Sequence, residues 1–468
     1  MIARRVLSTE DVVRATKGIL LNGDMGITFS GVTTDSREVE PGFLFFALKG
    51  KRFDGHEFIK EAIARGVKGA VVERMPDYLR WDDLPKDVSI ILVKDTLFAL
   101  GELARYVRSL DSYKVIAITG SCGKTTTKEL TYQILSKFYR CGKNEANFNN
   151  LIGVPMSILA QEKDKDWVIL EIATNSPGEI ARLTEITNPD LGAITCVYAA
   201  HLEGLKSLEG VLEEKTSLFA KMKEYGTIVY FYDQENLRER VKNFPQTKIS
   251  FGFEKGADLW IENFEEVEEV EEGAKISLVW SEKKREVFAR LKGRHQVLNF
   301  SASIAIALGT GLEFEEVCEK IPEIEEFYSR LKVIKTENLV VLDDTYNANP
   351  GSMAVALEYL ENFPKGDFRK VAILGDMKEL GEFAKSAHRS IGELARKVAD
   401  FAIFVGEHAQ DYRAGFGRDD CLTFETTEAL LEALKQGKID LSRCVVLVKG
   451  SRAMEMERVV LALLEGGK

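Results

Sequence analysis

The chain has 468 residues, more than one hydrophobic core normally serves, so two to four domains are expected and three match its blocks best. With 63 Lys and Arg against 74 Asp and Glu the formal charge is −11, which argues against a nucleic-acid backbone as partner and leaves any anionic ligand to local basic patches. No apolar run reaches membrane-spanning length, the opening MIARRVLSTEDVV lacks the apolar core of a signal peptide, and the six cysteines (Cys122, Cys141, Cys196, Cys318, Cys421, Cys444) form no CxxC pair; a cytoplasmic protein with neither a disulfide framework nor a zinc knuckle is expected.

Strand-length apolar runs alternate with helix-period segments along the chain, the pattern of α/β domains with mostly parallel sheets. The first block, residues 1–112, holds FLFFAL (43–48), GAVVE (69–73) and SIILV (89–93), and TLFALGELARYVRSL (96–110) predicts the helix that leads out of it. The second, residues 113–330, opens with KVIAITG and continues through WVILEIAT, LGAITCVY and TIVYFY, each followed by a helical or polar stretch. Within it ENFEEVEEVEEGAKISLVW is strongly acidic, yet apolar residues recur at alternate positions and REVFARLKG follows. That spacing predicts an antiparallel insert with a solvated face rather than an acidic tail. The third block, residues 331–468, holds LVVLDD, KVAILGD, FAIFVG and CVVLVKG separated by helices. It is Rossmann-like in rhythm, but no GxGxxG follows any of its strands.

The stretch ITGSCGKTTTKEL (118–130) is a variant phosphate-binding loop. The common spelling sets Gly, four residues, then Gly-Lys-Ser/Thr, which would put glycine at Ile118; here the first glycine is Gly120. KVIAI reads as a strand, GSCGKT as a tight turn and TTKELTYQILSKF as a helix, which is the context such a loop needs. Gly120 and Gly123 let backbone N–H groups face a phosphate, the helix start adds its dipole, Lys124 can reach the β and γ oxygens, and Thr125 can ligate magnesium. ATP or GTP binding follows. Ligands of open parallel sheets sit beyond the strands' carboxyl ends. Glu171 ends WVILE there, as a carboxylate able to hold magnesium, and His201 follows LGAITCVYAA. No NKxD or DxxG motif of a GTPase switch is present. After LVVLDD, Tyr346, Asn347, Asn349 and Pro350 form a turn whose amides suit a peptide backbone, although turn propensity alone accounts for two asparagines and a proline.

TGSCGKTTT, NFNNLIGVP (147–155), LEIATNSPGEI, AAHLEG, GRHQVLNFSASIAIA (293–307) and LDDTYNANPGSM (342–353) occur in an order that resembles the Mur ligases, the ATP-dependent amide-forming enzymes of peptidoglycan precursor synthesis, whose own loop has this variant form. Within that family, TTDSREVEPGFLFFALKGKRFDGHEF (33–58), DDTYNANP, ILGDMKELGE (373–382) and VLVKGSRAMEMERVV (446–460) are similar to the branch that takes a dipeptide as its amine. The resemblance spans essentially the whole chain. It implies a central P-loop domain with a mostly parallel sheet, flanked by an N-terminal α/β domain for the UDP substrate and a C-terminal Rossmann-like α/β domain. It also implies ATP and Mg2+, with D-alanyl-D-alanine joined to UDP-N-acetylmuramoyl-tripeptide through an acyl phosphate by a chain that is monomeric by default.

Carried over by position, the resemblance assigns Gly120, Ser121, Cys122, Gly123, Lys124, Thr125 and Thr126 to ATP, Thr125 and Glu171 to magnesium, and His201 to a second magnesium. Lys215, in VLEEKTSLF, stands where the family carries a carbamylated lysine, although Thr216 and Ser217 depart from the family's Lys-Gly-Glu pattern. Lys124, Lys215 and His201 make up the implied catalytic group. His295 and Asn299, four apart on one helix face, approach the nucleotide, and Arg330 and Asp344 reach it from the third domain. Ser36, Arg37, Lys49, Phe53, Asp54 and His56 belong to the UDP-binding segments, and Asn147, Asn149 and Asn150 to the channel between the first two domains. Tyr346, Asn347 and Asn349 face the ATP and dipeptide side. Asn175 is kept, but Ser176 replaces a histidine usual in relatives. A Mur ligase adding a single amino acid, a folylpolyglutamate synthase-like ligase and a P-loop nucleotide-switch module are the alternatives. The NANP turn and the KGKRFDGHEF segment favour the dipeptide ligase, and the switch module lacks its effector motifs.

Overall fold

The computed structural model describes residues 2–466 apart from 51–52, 76–77, 79, 81–83, 268–272, 326–330 and 365, so Arg330 and the Lys-Arg of KGKRFDGHEF lie outside the described residues. Three large sheets follow one another along the chain, of six, nine and six strands, besides a two-stranded ribbon Leu7–Ser8 with Thr28–Phe29.

In the first sheet Gly31–Thr33, Phe43–Phe46, Gly69–Val72 and Ser89–Leu92 run parallel in that order, and two short strands, Ile2–Ala3 and Ile19–Asn22, close its edges antiparallel. The central sheet runs Cys141–Lys143, Trp167–Glu171, Lys114–Thr119, Leu191–Ile194, Thr227–Phe231, Thr247–Gly252, all parallel. Chain order reverses about Lys114–Thr119, which makes the end of that strand a topological switch point, the usual ligand crevice of such sheets. The acidic segment is antiparallel as the alternation foretells: Leu259–Val267, Gly273–Trp280 and Lys283–Ala289 form a meander. It extends the central sheet through pairing of Phe251 and Gly252 with Leu259 and Trp260. Glu262, Asn263, Glu265 and Glu266 lie on its exposed positions. The third sheet runs Lys332–Lys335, Leu339–Asp344, Cys444–Lys449, Arg369–Gly375, Phe401–Val405, Cys421–Phe424, with only the first strand antiparallel.

The parallel strands are buried on both faces, hence their unbroken Val, Ile and Leu runs. Alternate residues of the outer sheets separate two cores. Val341, Ile373, Val446 and Val448 pack in a cluster private to the third sheet, whereas Leu342, Leu374 and Leu447 join a core continuous with the central sheet. Phe43, Phe45 and Ala70 make the private cluster of the first sheet, and Leu44, Phe46 and Val71 the shared one. Local signals start the helices that matter for the site. Asp95 accepts from Phe98 N at 2.7 Å to begin Thr96–Leu110, and Asn349 with Ser352 forms a capping box, Pro350 in the first turn, to begin Pro350–Asn362.

Candidate active site

Lys114–Thr119 delivers the chain into the phosphate loop, and Lys124–Leu135 leaves it as a helix whose N-cap is Gly123 at φ +79°. That conformation suits glycine, and space demands it as well: a Cβ on Gly123 would lie 2.1 Å from Asn299 Oδ1, and one on Gly120 would lie 1.9 Å from Thr195 Oγ1. Asn299 therefore abuts the loop. Ser121 Oγ donates to Tyr198 O at 2.8 Å and accepts from Tyr198 N at 2.9 Å, while Lys124 Nζ donates to Gly120 O at 2.9 Å.

Beside the loop, Thr125 Oγ1 donates to Glu171 Oε2 at 2.8 Å and Asn149 Nδ2 donates to Glu171 Oε1, also at 2.8 Å. Glu171 is buried at the end of its strand, held there by Asn144, whose amide accepts from Glu171 N and donates to Glu171 O. A hydroxyl and a carboxylate at one point are hard oxygen donors of the kind magnesium takes, with nucleotide phosphates to extend the shell. Among the described residues no three His, Cys, Asp or Glu converge, so a cation here would draw further ligands from water, the nucleotide or a modified side chain. His201 and Glu171 line one cavity of about 510 Å³ together with Lys124, Thr125, Asn147 and Asn175.

Lys215 is 2 % exposed on the helix Leu208–Lys221, and burial, followed by the charge of Lys124, pulls its pKa from 10.5 down to about 7. An amine that is half neutral near physiological pH can attack carbon dioxide, which an ordinary lysine ammonium cannot. Its neighbour Glu214 is also buried, accepting from Gly178 N and Ile180 N at 2.7 and 2.8 Å at the start of the helix Glu179–Thr187.

The third sheet supplies the opposite wall of the same cavity: Tyr346, Asn347, Asn349, Ser451 and Arg452 line it. Asn349 is first a helix cap, but its Nδ2 also donates to Ser121 O at 3.4 Å, and Gly351 sits against Tyr198, where a Cβ would be 2.7 Å away. Asp344 ends the strand Leu339–Asp344. Its Oδ2 pairs with buried Lys449 at 2.6 Å, and Lys449 also donates to Asn347 O at 2.8 Å. Asp344 Oδ1 is buried and finds no hydrogen-bond partner among the described residues, and Asp344 lines a smaller cavity with Cys122, Gly123, Thr126, His295 and Asn299. An unpartnered carboxylate oxygen beside the phosphate loop suits a ribose hydroxyl. His295 is half-buried there, and desolvation takes its pKa down to about 4, so the ring is neutral near physiological pH.

The first sheet brings its residues together elsewhere, along the carboxyl ends of its parallel strands. Ser36 and Arg37 follow Gly31–Thr33, with Arg37 exposed and paired to Asp35 at 2.7 Å. Lys49 and Asp54 pair through their backbones in an isolated antiparallel β-bridge after Phe43–Phe46, and Phe53 is 70 % exposed. His56 differs from its neighbours, being buried with Nδ1 on Asp54 at 2.6 Å and Nε2 accepting from Glu73 N at 2.9 Å, so both ring nitrogens serve the loop itself. Asn150 Oδ1 accepts from Gly153 N at 2.9 Å where the helix Gly153–Leu159 begins, Asn147 is exposed on the cavity, and Asn175 N donates to Glu179 Oε2 at 2.7 Å.

Several residues that shape the site escape sequence reasoning. Lys128 reads as a surface lysine, yet it is fully buried and its Nζ donates to Asn144 O at 2.7 Å, clamping the turn that carries Asn147 and Asn149. Asn144, Lys449 and Glu379 were likewise unmarked. Glu379 Oε2 lies 2.7 Å from His201 Nδ1. The one available signal was periodicity, which puts Lys128 on the face of its helix shared by Leu135 and Thr131.

Comparison with known proteins gives matches along nearly the whole chain. Residues 28–108 match the Mur ligase family catalytic domain, 118–307 the Mur ligase middle domain, and 329–452 the Mur ligase glutamate ligase domain. A UDP-N-acetylmuramoyl-tripeptide–D-alanyl-D-alanine ligase of Escherichia coli is 35 % identical, covering 96 % of this chain and 97 % of the relative. A crystal structure of MurF from Acinetobacter baumannii superimposes with a TM-score of 0.88 at 30 % identity, over 98 % of this chain and 99 % of that one. MurF of Thermotoga maritima in complex with ADP gives 0.81 at 29 % identity, over 93 % and 97 %.

Proposed function

Since the chain belongs to the Mur ligase family, we propose that it is the ATP-dependent ligase that joins D-alanyl-D-alanine to UDP-N-acetylmuramoyl-tripeptide, making the pentapeptide precursor of peptidoglycan. The observation that carries this reading is the single cavity walled on one side by the phosphate loop, Glu171 and His201 and on the other by Tyr346, Asn347, Asn349 and Arg452. One wall suits a triphosphate, and the other offers amides to a peptide. We take residues 1–112 as the UDP-substrate unit, 113–330 as the ATP unit and 331–468 as the unit that brings the amine, and we place the reaction in the cytoplasm, where ATP is made.

The terminal carboxylate of the tripeptide attacks the γ-phosphorus of ATP, giving an acyl phosphate and ADP. The dipeptide amine then adds to the acyl carbon, and the tetrahedral adduct expels phosphate. Charge gathers on the transferring phosphoryl group, so alignment by the loop N–H groups and neutralisation by Lys124 are the protein's main contributions. Thr125, Glu171, His201 and a carbamylated Lys215 would hold magnesium, which supplies further positive charge at the phosphates. Asp344 and Asn299 flank the nucleoside side of the loop. Ser36, Arg37, Lys49, Phe53 and Asp54 are suited to the UDP group: cations for the diphosphate, an exposed ring for the base. An acyl phosphate hydrolyses in water, which favours a site closed between units.

The alternatives are less well supported, because the relatives matched over their full length carry the dipeptide in their names. Purified chain mixed with magnesium, ATP, UDP-N-acetylmuramoyl-tripeptide and D-alanyl-D-alanine should release phosphate only when both peptides are present. Equal turnover with a single amino acid would favour the other ligases, and turnover without any acceptor would favour a nucleotide switch.

A further inference from the structure

His201 and Glu379 belong to different units, yet their side chains meet at 2.7 Å, Nδ1 to Oε2. The turns that carry them are fitted to each other. Glu203 N donates to Glu379 O at 3.1 Å, His201 and Glu379 both adopt left-handed backbone at φ +54° and +65°, and Gly381 lies where a Cβ would be 3.3 Å from Glu203 Cα. The Glu379 turn has firm backing from the third sheet. Met377 N donates to buried His388 Nε2 at 2.9 Å, Lys378 N donates to Ser451 Oγ at 2.8 Å, and Lys378 Nζ is held by Asp376 at 3.0 Å and Glu407 at 3.4 Å. Asp376 in turn accepts from Glu407 N and His408 N.

A carboxylate only accepts, so Nδ1 of His201 is the donor in this contact, which leaves Nε2 as the nitrogen a metal can take. A metal-binding histidine is ordinarily oriented in this way by a carboxylate on its other nitrogen. Here that carboxylate comes from a different unit of the chain.

Resting on the function proposed above, we infer that Glu379 is a positioning residue that sets the tautomer and orientation of His201 from across the cavity, so that metal binding at His201 and docking of the third unit on the second reinforce each other. The coupling is reciprocal: whatever docking adds to metal affinity, the metal adds to docking. An amine-delivering unit that completes a ligand's orientation only when seated would order the reaction, keeping the metal site weak until the third unit is in place.

The test uses the full chain with ADP and Mn2+ as probe, free Mn2+ being read by its electron paramagnetic resonance signal, together with thermal midpoints of the unliganded proteins. Glu379→Ala is expected to weaken Mn2+ binding about 10- to 100-fold. Glu379→Gln, which keeps a neutral acceptor for Nδ1–H, should fall between Ala and wild type while melting with it. Ala binding Mn2+ within about twofold of wild type overturns the inference, since an outer partner of a ligand should matter more than that. Should Ala fail to fold, equal affinity of Gln and wild type overturns it in the same way. Failure of the wild-type chain to couple the two peptides would instead refute the proposed function, and the Mn2+ titration is read independently of that outcome.

Discussion

Lys215 gives the sharpest quantitative test. Its amine is buried and near Lys124, and the two effects, burial first, bring its pKa from 10.5 to about 7. At pH 7 an ordinary lysine is neutral in roughly one molecule per 3,000, whereas a group at about 7 is neutral in about half, a gain of roughly 1,600-fold in the form that attacks carbon dioxide. Carbamylation turns that amine into a carboxylate, which reverses the sign of a charge felt at Lys124 and adds oxygen atoms able to ligate a metal. The assay is nuclear magnetic resonance of protein equilibrated with isotope-labelled bicarbonate, with Lys215→Arg as control, since arginine keeps the charge but cannot be carbamylated. A carbamate signal is expected in the wild type alone, falling as pH drops below about 7 because protonation withdraws the free amine. Ligase activity should follow the same curve. Absence of a Lys215-dependent signal at about pH 8 would refute the reasoning, because there the free amine dominates if burial acts as described.

Gly123→Ala forces a left-handed alanine at φ +79° and a Cβ 2.1 Å from Asn299 Oδ1; the backbone alone costs roughly 1–2 kcal/mol, so calorimetry should show ADP affinity reduced about tenfold or more, and unchanged affinity would remove the loop from the nucleotide site. His295 has a folded pKa of about 4 against 6.5 ordinarily, so the unfolded chain binds the proton more readily and stability present above pH 6.5 is lost as pH falls to 4, by up to roughly 3 kcal/mol. His295→Gln should flatten the thermal midpoint across that window, and an unaltered slope would show that the ring is solvated. Lys449→Met leaves Asp344 buried without its partner and should cost about 3–5 kcal/mol in denaturant unfolding, with Asp344→Leu recovering much of it; a loss below about 1 kcal/mol would mean that water replaces the pair.

Legibility tracked how local each determinant is. The parallel strands are burial on both faces written into five or six consecutive residues, so KVIAIT, WVILE and CVVLVK could be read directly, and the antiparallel meander could be read because its apolar residues alternate through an acidic run. The phosphate loop is a backbone demand met by two glycines within four residues, and it too is local. Ile2–Ala3 and Ile19–Asn22 escaped because a two- or four-residue edge strand has no pattern of its own and exists through partners 31 and 73 residues away, at Thr33 and Leu92. The site divides along the same line. Glu171, His201 and Asp344 end strands or follow them, where chemistry is expected, but the groups that orient them come from afar: Glu379 is 178 residues from His201, and Lys449 is 105 from Asp344. Lys128 misleads most, since a lysine four residues into a helix is solvent-facing by composition, and it takes the carbonyls of Asn144 and Ala146, which follow a separate strand, together with the Glu129 carboxylate at 3.1 Å, to make its burial tolerable. A reactive side chain shows itself through the element that presents it; the partner that tunes it is visible only after the sheets have brought distant strand ends to one edge.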